Sequence, residues 1–184
     1  RLLIVDTIGE WSSTRAASLE HARHVTGVQA TLQALHDAAE FRSWCIVADL
    51  DRDETVQVAD ILAPRRITDS PVPALGGMAI YLDEVDLMVP LGDSRLAGLW
   101  RRGRHVGLSV YAATQRPASV NKEVSAMVDV YALLPLDEVR DVAYLRQRFG
   151  RDMVDRGLAW ANSGPYRVAT FAGGALHRLP PEPE

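Results

Sequence analysis

Apolar and polar positions along this 184-residue chain follow two rhythms. Short, nearly continuous apolar runs recur at Leu2 to Val5, Trp44 to Leu50, Ala79 to Leu82, Gly107 to Ala113 and Val128 to Leu134. Runs of that length, ended by polar residues, predict strands buried on both faces. Between them apolar residues fall three or four apart, the helical period. This predicts helices over Val28 to Phe41 (Val28, Leu32, Leu35 and Ala39 inward), from Asp53-Glu54 to the stop at Pro64, over Leu91 to Arg102, and over Asn121 to Met127. A further helix is predicted over Asp137 to Phe149, with Val139, Val142, Leu145 and Phe149 inward. Gly103 and Gly150 read as helix stops. Ser12 to Thr26 is polar and reads as a connection, and Pro64 to Gly77, with its prolines and glycines, as a loop. Gly157 to Trp160 and Tyr166 to Phe171, around Asn162-Ser163-Gly164-Pro165, predict a terminal hairpin. Strands alternating with helices at this spacing specify an α/β fold, a mainly parallel sheet flanked by helices.

The stretch MAIYLDEVDLMVP, Met78 to Pro90, organises the rest. A buried parallel strand there ends in Asp83 and Glu84, at the sheet edge where open α/β folds place ligands. In a nucleotide hydrolase the first acid holds Mg²⁺ through water and the second orients or deprotonates the attacking water. The same two acids also suit the first turn of a helix, where carboxylates oppose the dipole.

Composition narrows the chemistry. The net charge is −4, so the surface as a whole is not a basic nucleic-acid footprint. Cys45 is the only cysteine, which excludes an intrachain disulfide and a cysteine-based metal cluster and suits a reducing cytoplasm. No apolar run is long enough to span a membrane. His21 and His24 lie three apart with no third ligand in view. Among the basic residues only Lys122 is a lysine, and no G-x-x-x-x-G-K-[ST] loop precedes it. The sequence therefore holds no phosphate-cradling lysine. No G-x-G-x-x-G or G-x-S-x-G pattern supports a dehydrogenase or a serine hydrolase.

Four stretches stand in a telling order: LIVDTIGEW (Leu3 to Trp11), the strand ending Asp83-Glu84, GRHVGLSVYAATQRP (Gly103 to Pro117), and VDVYALLPLDEVRDVAYL (Val128 to Leu145). Together they resemble the HerA/FtsK group of P-loop ATPases, DNA-translocating motors with segregation, conjugation and packaging members. The resemblance implies a RecA-like (ASCE) P-loop NTPase core, with ATP and Mg²⁺ as cofactors, DNA as partner and a homo-oligomeric, hexameric ring. It implies that Asp83 holds Mg²⁺ through water and that Glu84 polarises the lytic water. Gln115, with Thr114, would be the polar sensor of the γ-phosphate. An arginine finger would come from Arg101, Arg102, Arg104 or Arg116, with Arg104 first because it lies in the GRH match. In this group the P-loop precedes the LIVD strand. With Arg at position 1 and a chain opening inside a strand, the expectation is an N-terminally truncated core over residues 1–176 that lacks its P-loop strand, followed by a disordered tail, 177–184. Such a fragment would not hydrolyse ATP alone. The alternatives are a catalytically inactive scaffold domain of the same fold and an ATPase motor acting on protein.

Overall fold

The computed structural model describes residues 1–7, 11, 22–165 and 167–178. It divides into two compact units. Unit 1 is Arg1–Thr114 with Asn121–Val124, and unit 2 is Gln115–Val120 with Ser125–Glu184.

Unit 1 holds five strands: β1 (Leu2–Asp6), β2 (Ala22–Thr26), β3 (Cys45–Asp49), β4 (Met78–Leu82) and β5 (Leu108–Ala112). All pair in parallel, in the order β2-β3-β1-β4-β5. The expected mainly parallel α/β architecture is thus present. Helices α1 (Val28–Ala38), α2 (Arg52–Leu62), α3 (Val85–Met88) and α4 (Ala97–Gly103) intervene. The steps from β2 to β3, over β1 to β4, and on to β5 run in one direction, so right-handed crossovers put α1, α2 and α4 on one face. There α1 packs on α2 and α2 on α4. Register assigns Leu3, Val5, Ile46, Ala48, Ile80 and Leu82 to that face, and all are buried. Helix α2 starts where Asp51 and Glu54 form a reciprocal capping box, which satisfies two backbone donors that the helix cannot.

The opposite face carries Ile4 and Val47, packed by Leu2, Cys45, Tyr81 and Trp11. Tyr111, beside Tyr81 in register, is 59% exposed on it. β5 is an edge strand, bonded to β4 alone among the described strands.

Unit 2 contains β6 (Val130–Leu133), α6 (Val139–Phe149), α7 (Arg151–Ala161), β7 (Ala169–Ala172) and β8 (Ala175–Arg178). Its three strands form an antiparallel sheet. Its core is Leu133, Leu145, Val154, Ala169 and Phe171, with Phe149 stacked on Phe171 at 4.9 Å between ring centroids. The short helix α5 (Lys122–Ala126) links the two units in sequence.

Several expectations are corrected. Gly157 to Trp160 is not a strand but part of α7, because Val154, Gly157 and Ala161 form one buried helical stripe. The terminal hairpin is instead β7–β8, turned by Gly173 and Gly174, both at positive φ as a tight hairpin requires. The polar connection ends in a strand, β2, held by β3. Helix α4 begins at Ala97 rather than Leu91, since Pro90 and Gly92 turn the chain and Asn121 Nδ2 donates to the Asp93 carbonyl at 2.7 Å. Gly103 is helical and buried, and the left-handed stop is Gly107 after a 3₁₀ turn. Val139 is 80% exposed, because α6 turns Asp141, Val142 and Leu145 inward. The end of the chain, 179–184, lies outside the described residues, as does His21, while Arg178 belongs to β8.

Candidate nucleotide-hydrolysis site

The C-terminal edge of the unit 1 sheet gathers acids at adjacent strand tips. Register sets Asp6 beside Asp49, and Val5 beside Leu82, which brings Asp83 next to Asp6. Asp6 is fully buried and accepts from the Trp11 backbone N–H at 2.8 Å. A buried carboxylate needs such donors to offset lost hydration.

Asp83 is half-buried. Its Oδ2 accepts from the Trp11 indole Nε1 at 2.8 Å, while Oδ1 accepts from the Glu84 backbone N–H at 3.2 Å and faces the Tyr81 hydroxyl at 3.4 Å. Burial pushes the Tyr81 phenol above its usual range, and the Asp83 charge pushes it the same way. Tyr81 therefore stays protonated, a donor toward the carboxylate.

Glu84 has φ 47° and ψ 51°, and it is the one non-glycine residue at positive φ among those described. Left-handed backbone costs an L-residue roughly 1–2 kcal/mol. Strain of this kind persists where surrounding structure fixes it and is concentrated at working sites. Here the fixing is visible: Val85 N–H donates to the Ala113 carbonyl at 2.9 Å, and Ala113 N–H to the Leu82 carbonyl at 3.0 Å. The chain turns sharply after β4, and the αL residue carries the turn.

Thr114, just past β5, donates its hydroxyl to Asp86 in the first turn of α3. The structure therefore brings Asp83, Glu84 and Thr114 to neighbouring strand tips. Gln115 follows Thr114 as the first, exposed residue of unit 2.

The candidate arginines differ in what they touch. Arg101 pairs with Glu123, and Arg102 donates to the Ala63 carbonyl at 2.7 Å and lies 3.5 Å from Asp60. Arg116 lies 3.2 Å from Glu138 and 3.8 Å from Asp141 within unit 2. Arg104 is exposed, and its side chain has no hydrogen-bond or ion-pair partner among the described residues. It stands in the connection into the N-terminal end of β5, the opposite edge from Glu84.

Among solved structures the chain is similar to the genome packaging NTPase B204 from Sulfolobus turreted icosahedral virus 2. With ATP-gammaS bound to that protein, the TM-score is 0.68 at 13% identity over 98% of this chain and 81% of that one. With AMPPCP the values are 0.67, 13%, 98% and 82%. B204, the DNA-packaging ATPase from Sulfolobus turreted icosahedral virus, gives 0.71 at 12% identity over 98% and 82%. This chain shares their fold. No family model and no curated protein sequence matches it.

Metal and nucleotide fit this edge unequally. No group of three or more His, Cys, Asp or Glu side chains among the described residues could hold a metal by itself. Mg²⁺ commonly needs only one or two carboxylates, completed by water and phosphate oxygens, and Asp83 suits that mode. For the phosphates the fit fails: Lys122 opens α5 and follows no glycine loop.

Residue-level reading of the sequence missed Asp86 and the structural part of Trp11. Asp86 is visible in retrospect as the third acid of DEVD. Trp11 is legible only as a donor-bearing aromatic a few residues after a buried aspartate.

Proposed function

We propose that this chain is part of the ATPase domain of a nucleic-acid-translocating motor, a ring of like subunits in which hydrolysis occurs where one subunit meets the next. The observation that carries the reading is Asp83-Glu84 at the C-terminal edge of a parallel sheet, with Glu84 held in a left-handed conformation, in a fold shared with nucleotide-binding packaging NTPases. Bound Mg²⁺ would supply charge neutralisation between the phosphates. Asp83 would hold it through water, and Glu84 would accept the proton of the attacking water or align it. Thr114 presents a hydroxyl from the neighbouring strand end, and Gln115, next in sequence, would be the polar sensor. Arg104, without a side-chain partner among the described residues and at the opposite sheet edge from its own Glu84, would be the finger for an adjacent subunit.

Residues 1–184 hold no glycine loop followed by lysine, so this reading requires a phosphate cradle supplied by another segment. Support for that lies in β5, an edge strand, and in the face that carries exposed Tyr111. A further strand and helix would cover both.

The test uses the complete gene product. Glu84→Gln should abolish ATP turnover while MgATP binding, read by calorimetry, is retained. A wild-type protein that binds no MgATP overturns the reading. The absence of a lysine after a glycine loop then favours the scaffold domain of the same fold.

Nucleic acid as cargo is supported by how charge is laid out in unit 1. Acids crowd the C-terminal strand tips. Arg42, Arg65 and Arg66 are exposed, without side-chain partners among the described residues, in the connections leading to β3 and β4. Glu40 and Asp69 share that edge and leave an arginine excess. Arg65→Glu with Arg66→Glu should weaken binding of duplex DNA about tenfold or more at low salt and flatten its salt dependence. Unchanged affinity would favour a protein substrate.

A further inference from the structure

The most specific hydrogen bond at the site comes from a residue with no assigned role. Trp11 ties together two strand tips: its backbone N–H donates to Asp6 on β1, and its indole N–H donates to Asp83 after β4, both at 2.8 Å. Its ring meets Tyr81 edge-on, with centroids 6.0 Å apart and planes at 70°, and packs on the cluster of Ile4 and Val47. Trp11 is thus fixed from three sides: its backbone by the fully buried Asp6 carboxylate, and its ring by an aromatic neighbour and by the sheet face.

We infer that Trp11 is a positioning residue that sets the orientation of the metal-facing carboxylate of Asp83. This rests on the reading of Asp83 given under Proposed function. An aspartate at a strand tip can rotate its carboxylate, and each rotamer presents different lone pairs. The indole N–H is a donor that can never act as an acceptor. By occupying one lone pair of Oδ2 it pins the carboxylate plane; with Oδ1 facing the Glu84 N–H and the Tyr81 hydroxyl, the second lone pair of Oδ2 is left to accept from metal-bound water. Groups that hold a metal-facing ligand by its outer side typically govern metal affinity by 10–100-fold. Asp6, buried and accepting from the Trp11 backbone N–H, anchors this strut.

The experiment compares wild type and Trp11→Phe in the complete gene product. Phenylalanine keeps an aromatic ring against Tyr81 and removes only the donor. Calorimetry first establishes that wild type binds MgATP. If it does not, the reading of Asp83 fails and this inference falls with it. Given binding, Trp11→Phe should raise the Mg²⁺ concentration for half-maximal hydrolysis roughly tenfold. The rate at saturating Mg²⁺ should be nearly preserved, because the metal itself then orders the carboxylate. A general packing defect would instead lower that rate and leave the Mg²⁺ midpoint in place.

A second measurement needs no change at position 11. In protein carrying Trp44→Phe, Trp100→Phe and Trp160→Phe, Trp11 remains of the four tryptophans in this sequence. Adding Mg²⁺ to the ATP-bound protein should shift its indole emission, because the partner carboxylate changes its effective charge. An unmoved Mg²⁺ midpoint in Trp11→Phe, or an emission spectrum indifferent to Mg²⁺, overturns the assignment.

Discussion

Glu84 carries two demands that pull against each other. Its carboxylate is placed by a left-handed backbone that costs the chain stability. Glycine adopts the same φ without a Cβ penalty. Glu84→Gly should therefore leave the protein as stable as wild type or more stable, by up to about 1 kcal/mol, while turnover is lost. Urea melts and an ATPase assay on the same preparations check both halves. A different residue-scale prediction concerns Tyr131, whose hydroxyl donates to the Ser125 carbonyl at 2.5 Å. Burial raises its phenol to about 12, against the nearby Arg148 charge, which lowers it. The folded protein therefore holds that proton over a range, above about pH 10, in which the unfolded chain releases it. Tyr131 thus contributes stability that is complete below about pH 10 and fades toward about pH 12. Thermal melts across that range should show Tyr131→Phe losing less stability than wild type.

Among the elements, α7 depends on a close approach to its own sheet. A Cβ built on Gly157 would lie 3.0 Å from Phe171 Cζ and 3.4 Å from both Ala169 Cβ and Leu133 Cδ2. Phe171 is stacked on Phe149 and cannot yield easily. Gly157→Ala should raise helix propensity yet destabilise unit 2 by about 1–3 kcal/mol, measured by chemical denaturation. Stabilisation would mean that the ring has room to move. This same glycine explains why the sequence misleads locally. Gly157 and the aromatic Trp160 suggest a strand beside a turn, whereas the decisive contact is with Phe171, beyond the reach of a local window. The Ala172-Gly173-Gly174-Ala175 turn was legible by rule and was overshadowed by Asn162-Ser163-Gly164-Pro165. The parallel strands were easier, because burial on both faces writes itself as unbroken apolar runs at Leu2 to Val5 and Ala79 to Leu82. The acids at the strand tip were equally plain. The αL turn at Glu84 and the Trp11 strut were not, since each depends on partners brought together only by the fold.

At the scale of the parallel sheet as a whole, β1 is central, and both of its partners come later in the sequence. Val5 has its register partners at Ala48 on β3 and at Leu82 on β4, the latter more than 70 positions downstream. A ribosome adding ~5–20 residues per second takes on the order of 4–15 s to supply that distance. Until β3 and then β4 are made, Leu2-Leu3-Ile4-Val5 lacks one or both of these neighbours and is an apolar segment able to pair with a neighbouring chain. The pairing of β1 with β4 thus waits long after β1 itself is made. Pauses in translation before Leu82 should lengthen the interval, and the soluble yield of this protein would depend on how quickly chaperones bind that nascent strand.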